Sequence, residues 1–227
     1  MGLFAWLAKQ APARKLAWDC ATGNGQAATA LAEHFSRVFA TDASHEQIRH
    51  AARKENVTYR VEPAERSSLA DRSVDLLMVA QAYHWLDHET FLAEAGRVIK
   101  PAGLLVIGSY QLLCVNDGVD QTVRRLWGQI LDGWWPTERA LVDSGLGGLS
   151  LPWPDIKAPS FEIAVHWRLT ELLAYLGTWS AVQKYAQRNK TDPLELISTE
   201  LESAWGDPER RRRISWPVSL RVCRKPG

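Results

Sequence analysis

The chain has 227 residues, 46% hydrophobic and 23% charged, with a formal net charge of +1. That length buries one substantial core, and the near-zero charge lacks the broad attraction expected of a nucleic-acid binder. No apolar run reaches the roughly 20 residues that cross a bilayer and no basic-then-apolar leader is present, so a cytoplasmic protein without membrane or nucleic-acid partners is expected.

Taken in chain order, apolar residues recur at helical spacing from Leu3 to Ala11, and Pro12 ends the pattern. Lys15 to Cys20 then reads as a buried strand, Gln26 to Phe35 as a helix, Val38 to Thr41 as a strand, and Ser44 to Arg53 as a helix with Ser44 as its cap. Val57 to Val61 and Val74 to Ala80 are further strands, His88 to Ile99 a helix, and Leu104 to Ser109 a fifth strand after a turn at Pro101 and Gly103. Such alternation predicts a parallel sheet covered by helices on both faces. Beyond Tyr110 the rhythm changes. Val119 to Leu131 is helical, and the Trp-, Pro- and Gly-rich stretch that follows has no clear period. Phe161 to Trp167 alternates as a strand, Thr170 to Lys184 and Pro193 to Trp205 are helical, and Ile214 to Val222 is a last strand, in which Pro217 suits an edge or a bulge.

One domain over 1–227 is expected, with a cofactor-binding half at 1–111, a cap or insertion at 112–160 and a sheet-completing tail at 161–227. The three cysteines, Cys20, Cys114 and Cys223, show neither zinc-like nor redox spacing and read as reduced, buried thiols. His84 and His88 with Asp87 and Glu89 share a helix start. They match no recognised ligand pattern, so no metal is expected.

The loop "WDCATGNGQ" carries the chemistry. Gly23, Gly25 and Ala28 fit the G-x-G-x-x-G/A fingerprint, and Asp42 ends the next strand about 20 residues on, where an acid reads a ribose. A nicotinamide-dependent oxidoreductase is therefore one reading. Asp19, at the end of the first strand, favours another. A carboxylate there repels a pyrophosphate and attracts a ligand bearing an ammonium and a sulfonium, which points to S-adenosylmethionine.

Five ordered segments strengthen that reading: "LAWDCATGNGQAATALAEHF", "VFATDAS", "YRVEPAERSSL", "VDLLMVAQAYHWLD" and "RVIKPAGLLVIGSY". In order and spacing the chain resembles the class I S-adenosylmethionine-dependent methyltransferases, within them the small-molecule branch related to trans-aconitate methyltransferase. The resemblance implies a Rossmann-like α/β fold: a seven-stranded, mostly parallel sheet with an antiparallel C-terminal strand, helices on both faces and a helical cap insertion. It implies that Asp19, Ala21, Gly23 and Gly25 surround the methionyl part of the cofactor and that Asp42 accepts from both ribose hydroxyls. Ala64 and Glu65 would lie beside adenine, and Gln81 near the transferable methyl. Family members usually have glycine where this chain has Ala21, and carry an N-terminal segment folded over the cofactor. The chain begins at the helix after that segment, so a more open site is expected. A degenerate cofactor-binding protein without transfer activity is the third reading.

The acceptor is expected to be a small molecule, methylated at a carboxylate or hydroxyl oxygen. A carboxylate is already ionised, whereas a hydroxyl benefits from a base. His84 follows the fourth strand at the sheet edge where open α/β folds bind ligands, and is the candidate base. Tyr83, Trp85, Tyr110, Trp134 and Trp179 are the candidate pocket walls, although core packing is the favoured reading for any single tryptophan. Arg210 to Arg213 form the one basic run, read as a solvated connection. A monomer or weak homodimer is expected.

Overall fold

A computed structural model of the protein describes residues 2–227. The apolar runs read above become strands β1 (Leu16–Cys20), β2 (Arg37–Asp42), β3 (Val57–Val61), β4 (Val74–Ala80), β5 (Ile99–Tyr110), β6 (Phe161–Trp167) and β7 (Arg212–Arg224). They form one sheet in the order β3-β2-β1-β4-β5-β7-β6. Neighbours from β3 to β5 are parallel. The end of the chain runs antiparallel to β5: the Ala102 N–H donates to the Lys225 carbonyl at 3.0 Å, and the Lys225 N–H to that of Gly103 at 2.9 Å. β4 is buried at six successive positions because helices cover both sheet faces, so its sequence has no polar alternation. This is the Rossmann-like α/β class.

The helices are α1 (Leu3–Gln10), α2 (Gln26–Leu31), α3 (His45–Arg49), α4 (His88–Val98), α5 (Asp117–Arg125), α6 (Ala140–Asp143), α7 (Leu169–Gly177), α8 (Ser180–Asn189) and α9 (Ser198–Trp205). Several ends differ from the sequence pattern for identifiable reasons. α2 stops at Leu31, and beyond it the Asn56 side-chain amide donates to the carbonyls of Ala32 (2.8 Å) and Phe35 (3.0 Å), satisfying carbonyls that the helix end leaves without an intrahelical partner. The pattern from Thr170 to Lys184 is two helices. Trp179 is extended, and the Gln183 amide donates to the Gly177 carbonyl at 2.5 Å across the break. The helix expected to run to Leu131 leaves α geometry at Leu126, where a wider π turn covers Leu126–Ile130. α9 begins only at Ser198, after a series of turns from Pro193.

Two strand expectations are corrected. Pro101 and Gly103 lie inside β5, whose register against β4 shifts between Val74↔Ile99 and Leu76↔Leu104, so the turn is absorbed as an irregularity. β7 lies between β5 and β6, so Pro217 is not on an edge strand. Its carbonyl accepts from the Gln111 N–H at 2.8 Å, and the missing proline donor costs the ladder only one bond. Among the cysteines, Cys20 and Cys223 are buried free thiols and Cys114 is only partly covered.

The chain condenses into two compact units, one comprising residues up to Ser109 with Ser144–Phe161 and Val218–Gly227, the other Tyr110–Asp143 with Glu162–Pro217. In the first, Leu7, Leu31, Phe35, Val38, Leu76 and Leu104 pack α1 and α2 on the sheet. In the second, Val123, Leu126, Leu172, Leu176, Leu201 and Trp205 form a helical core. The base of β1 is pinned by a fully buried carboxylate: Asp75 accepts from the N–H groups of Lys15 (2.8 Å) and Leu16 (2.9 Å) and from Lys100 Nζ (2.6 Å). Asp75→Ala strands those donors, including a charged one. Urea unfolding is expected to show a loss of about 3–5 kcal/mol, whereas Asp71→Ala, on an exposed carboxylate, changes stability by under about 1 kcal/mol.

Candidate donor site in the first unit

Parallel pairing aligns Tyr59, Ala40, Asp19, Met78 and Val106 in one row across β3, β2, β1, β4 and β5. Residues paired in register share a face, so Asp19 and Tyr59 project to the same side with only the small Ala40 between them. Asp19 is fully buried there. One of its oxygens accepts from the Thr22 hydroxyl, and the other, Oδ1, has no partner. Burial pushes this carboxyl up to about 7; the Thr22 hydroxyl and the Ala28 N–H oppose the shift, and the charge of Asp42 adds to it. A buried carboxylate lacking one acceptor bond is costly unless a cation stands close by.

The loop between β1 and α2 wraps this acid. Ala21 (φ 54°), Gly23 (φ 56°) and Gly25 (φ 85°) all take the left-handed backbone. For Ala21 that conformation costs about 1–2 kcal/mol, so the methyl group noted in the sequence is accommodated as strain. Gly25 is confined further, because a Cβ there would lie 2.3 Å from Tyr59 Oη. The Tyr59 hydroxyl donates to the Ala52 carbonyl at 2.7 Å, which fixes the ring against the loop.

Asp42, ending β2, is held with both oxygens oriented. Oδ2 accepts from the Gly23 N–H at 2.9 Å and Oδ1 from the Ser44 N–H at 2.8 Å. Each oxygen retains further acceptor capacity. Ser44 also caps α3, accepting from the Gln47 N–H at 3.3 Å. The segment carrying Ala64 and Glu65 is anchored at both ends: Glu62 accepts from Ser68, and Glu94 from Ser67. Ala64 is buried, and a Glu65 oxygen accepts from the Asp87 N–H at 3.2 Å. Cys20 reports the crowding of acids here. Burial, followed by the charges of Asp19, Glu65 and Asp42, drives its thiol well above the ordinary value. Gln81, directly after β4, is also left-handed (φ 57°), with its N–H donating to the Gly108 carbonyl at 2.8 Å.

The remaining candidates are placed separately. His84 packs on Trp85 with ring centroids 4.7 Å apart, and Trp85 is 58% exposed. Tyr83 is buried, stacked on His88 at 4.3 Å and edge-on to Phe91; His88 Nε2 lies 3.0 Å from the Tyr83 carbonyl. Among the described residues no group of three or more His, Cys, Asp or Glu side chains is placed to hold a metal ion. Tyr110, Trp134 and Trp179 belong to the second unit. Trp179 packs on its core between Trp135 and Tyr175, whereas Trp134 lines an open groove with Lys184 and Arg188. The basic run is dispersed. Arg211 donates to the His166 carbonyl, Arg212 to that of Trp205, and Arg213 to Glu162.

Sequence reasoning did not identify Thr22 or Tyr59 as parts of this site. Thr22 stands three residues after Asp19, a spacing common to many turns. Tyr59 enters through a register that only strand pairing sets.

A methyltransferase domain model matches residues 18–107, the segment that builds this site. An Anaeromyxobacter dehalogenans structure described as a "Putative Type II Methyltransferase" is 45% identical, covers 99% of this chain and 96% of its own, and superposes with a TM-score of 0.94. A "Putative methyltransferase" of Dictyostelium discoideum is 28% identical over 93% of this chain and 83% of that protein. An uncharacterised methyltransferase of Mycobacterium tuberculosis is 37% identical over 44% of this chain and 41% of its own length. The chain belongs to the methyltransferase family and has the class I S-adenosylmethionine-dependent methyltransferase fold.

Gly25→Ala tests the loop. Backbone strain and collision with Tyr59 are expected to lower stability by at least about 1–2 kcal/mol in denaturant unfolding. In a Tyr59→Ala background the same substitution is expected to cost only the strain part, and the difference between the two backgrounds measures the collision.

Proposed function

We propose that the protein transfers the methyl group of S-adenosylmethionine to an oxygen, carboxylate or hydroxyl, of a small-molecule acceptor. The single observation that carries the donor assignment is the buried, half-partnered Asp19 beneath the glycine loop. A cation bound at the loop offsets its buried charge through the low-dielectric interior, whereas a dinucleotide pyrophosphate aggravates it. The residues present fit such a donor. Asp19 answers an ammonium, the oriented Asp42 oxygens answer two ribose hydroxyls, and the anchored Ala64–Glu65 segment offers a backbone N–H and a carboxylate to adenine.

When bound, S-adenosylmethionine supplies a methyl group activated by a sulfonium. The chain's own task is orientation, and positioning of this kind contributes up to about 7–11 kcal/mol to such reactions. Gln81, in strained backbone at the end of β4, is the candidate for holding the reacting edge, since strain of about 1–3 kcal/mol persists where the surroundings fix it for use. His84 is the candidate base for a hydroxyl acceptor, and Trp85 beside it an exposed apolar face for the acceptor. Small molecules at donor and acceptor sites account for the partners, and action as a monomer or weak homodimer in the cytoplasm completes the reading.

Titration calorimetry is expected to show S-adenosylhomocysteine binding and no binding of NADH; the reverse removes the donor assignment. Asp42→Ala is expected to weaken S-adenosylhomocysteine at least about tenfold through loss of charge-assisted contacts.

The pH dependence has a defined sign. Asp19 rises from an ordinary 3.8 to about 7 in the folded protein, so ionising it costs the free protein stability that grows as pH climbs between those values and levels off above the upper one. A cationic ligand favours the ionised form. Below pH 7, binding of S-adenosylhomocysteine is therefore expected to release a proton, with affinity rising by up to about tenfold per pH unit and flattening above 7. Asp19→Asn should remove the slope, and a slope that persists in the variant overturns the role of Asp19.

His84→Gln separates the acceptor chemistries. With a hydroxyl acceptor kcat is expected to fall by about 10²–10⁴, and with a carboxylate acceptor by less than about tenfold.

A further inference from the structure

The second unit contains a small cavity whose lining includes Tyr110, Trp127, Arg139 and Asp143. Its volume, about 80 Å³, is several times the roughly 10–15 Å³ that admits one water and has room for a three-atom planar group. Trp127 Nε1 is buried and makes no hydrogen bond. Indole N–H is a donor only, so an acceptor is what it lacks. Arg139, about a third exposed, supplies further donors at the rim. Its Nε donates to Asp143 Oδ1 at 3.0 Å and its guanidinium carbon lies 4.2 Å from the centroid of the Trp135 ring, while among the described residues neither Nη group has an acceptor. The wall is stiffened behind these donors, since Trp135 Nε1 donates to the Trp127 carbonyl at 2.9 Å.

A cavity whose lining residues include a tryptophan with an orphaned indole N–H and an arginine with unpaired Nη groups, beside Gln111 and Asp143, suits a planar anion with two acceptor atoms. A single water satisfies the indole but leaves the fork of the guanidinium unused, whereas a carboxylate matches that fork. Asp143 engages the opposite edge through Nε. It orients the guanidinium and, by sharing its charge, keeps the affinity for a second anion modest.

We propose that this cavity binds the carboxylate of a small organic acid, its oxygens accepting from Trp127 Nε1 and the Arg139 Nη groups. The site is read from the second unit alone and does not depend on the donor assignment, so its test is run without donor.

The test follows the indole N–H resonances of protein labelled with ¹⁵N at tryptophan, with the Trp127 signal assigned by its loss in Trp127→Phe. Propanoate is expected to shift that signal saturably in the millimolar range, and propanamide, its neutral isostere, to leave it in place at up to about 0.1 M. Arg139→Gln is expected to weaken propanoate at least tenfold and Arg139→Lys to retain part of the affinity, with the indole signals of Trp18 and Trp205, which do not contact Arg139, unmoved as the control for folding. An unmoved Trp127 signal overturns the proposal, as does an equal response to propanamide or a response that survives Arg139→Gln. A stronger response to inorganic sulfate overturns the assignment to a carboxylate.

Discussion

A carboxylate buried at the end of β1, with one oxygen bonded to Thr22 and the other to nothing, is the constraint around which the first unit is arranged. Removing Asp19 from water favours its protonated form, and the fold leaves that cost standing instead of neutralising it with a lysine or arginine. Three left-handed residues in the following loop bring backbone over the same spot. One of them, Ala21, carries a side chain that makes the conformation costly. Two local penalties at one strand end, one electrostatic and one conformational, are tolerated because the surrounding sheet is rigid, and strain of this kind clusters where a ligand is handled.

That rigidity has a visible source. Asp75 ties the first residues of β1 to β4 and to Lys100, so the base of the central strand is fixed by hydrogen bonds to a buried charge. At the opposite end Asp42 binds one N–H of the glycine loop and one of the turn leading into α3. The two acids therefore clamp β1 and its loop from both ends. Tyr59 adds a lateral stop, reaching across Ala40 to the face of Gly25. A larger residue at position 40 would obstruct that path, which gives a physical reason for a small side chain in the middle of β2.

The second unit handles its many aromatic residues differently. Trp135, Trp179, Tyr175, Trp216 and Trp167 contact one another in sequence at centroid distances between 5.3 and 6.1 Å, so most of its tryptophans serve packing. Among the described residues of this unit, Trp127 is the tryptophan whose indole nitrogen is both buried and without a partner. It packs on Trp135 at 6.3 Å, yet its N–H remains without an acceptor while the indole nitrogens of Trp135 and Trp216 are satisfied.

The sequence by itself determined the strand and helix alternation through Ser109, the parallel character of that region, and the glycine loop with its acids at positions 19 and 42. These follow from properties that act over a few residues: apolar periodicity, glycine at a tight turn, and the sign of a charge at a strand end. Only the tertiary structure decided that β7 enters between β5 and β6 despite Pro217, that the Thr170–Lys184 pattern breaks at Trp179, and that Tyr59 reaches Gly25. It likewise decided that Tyr83 is buried against His88 and that Asp19 retains an unpartnered oxygen. Each of these depends on strand register or on groups far apart in the chain, and neither hydrophobic period nor local propensity carries information about which distant atoms will fill, or fail to fill, a hydrogen bond.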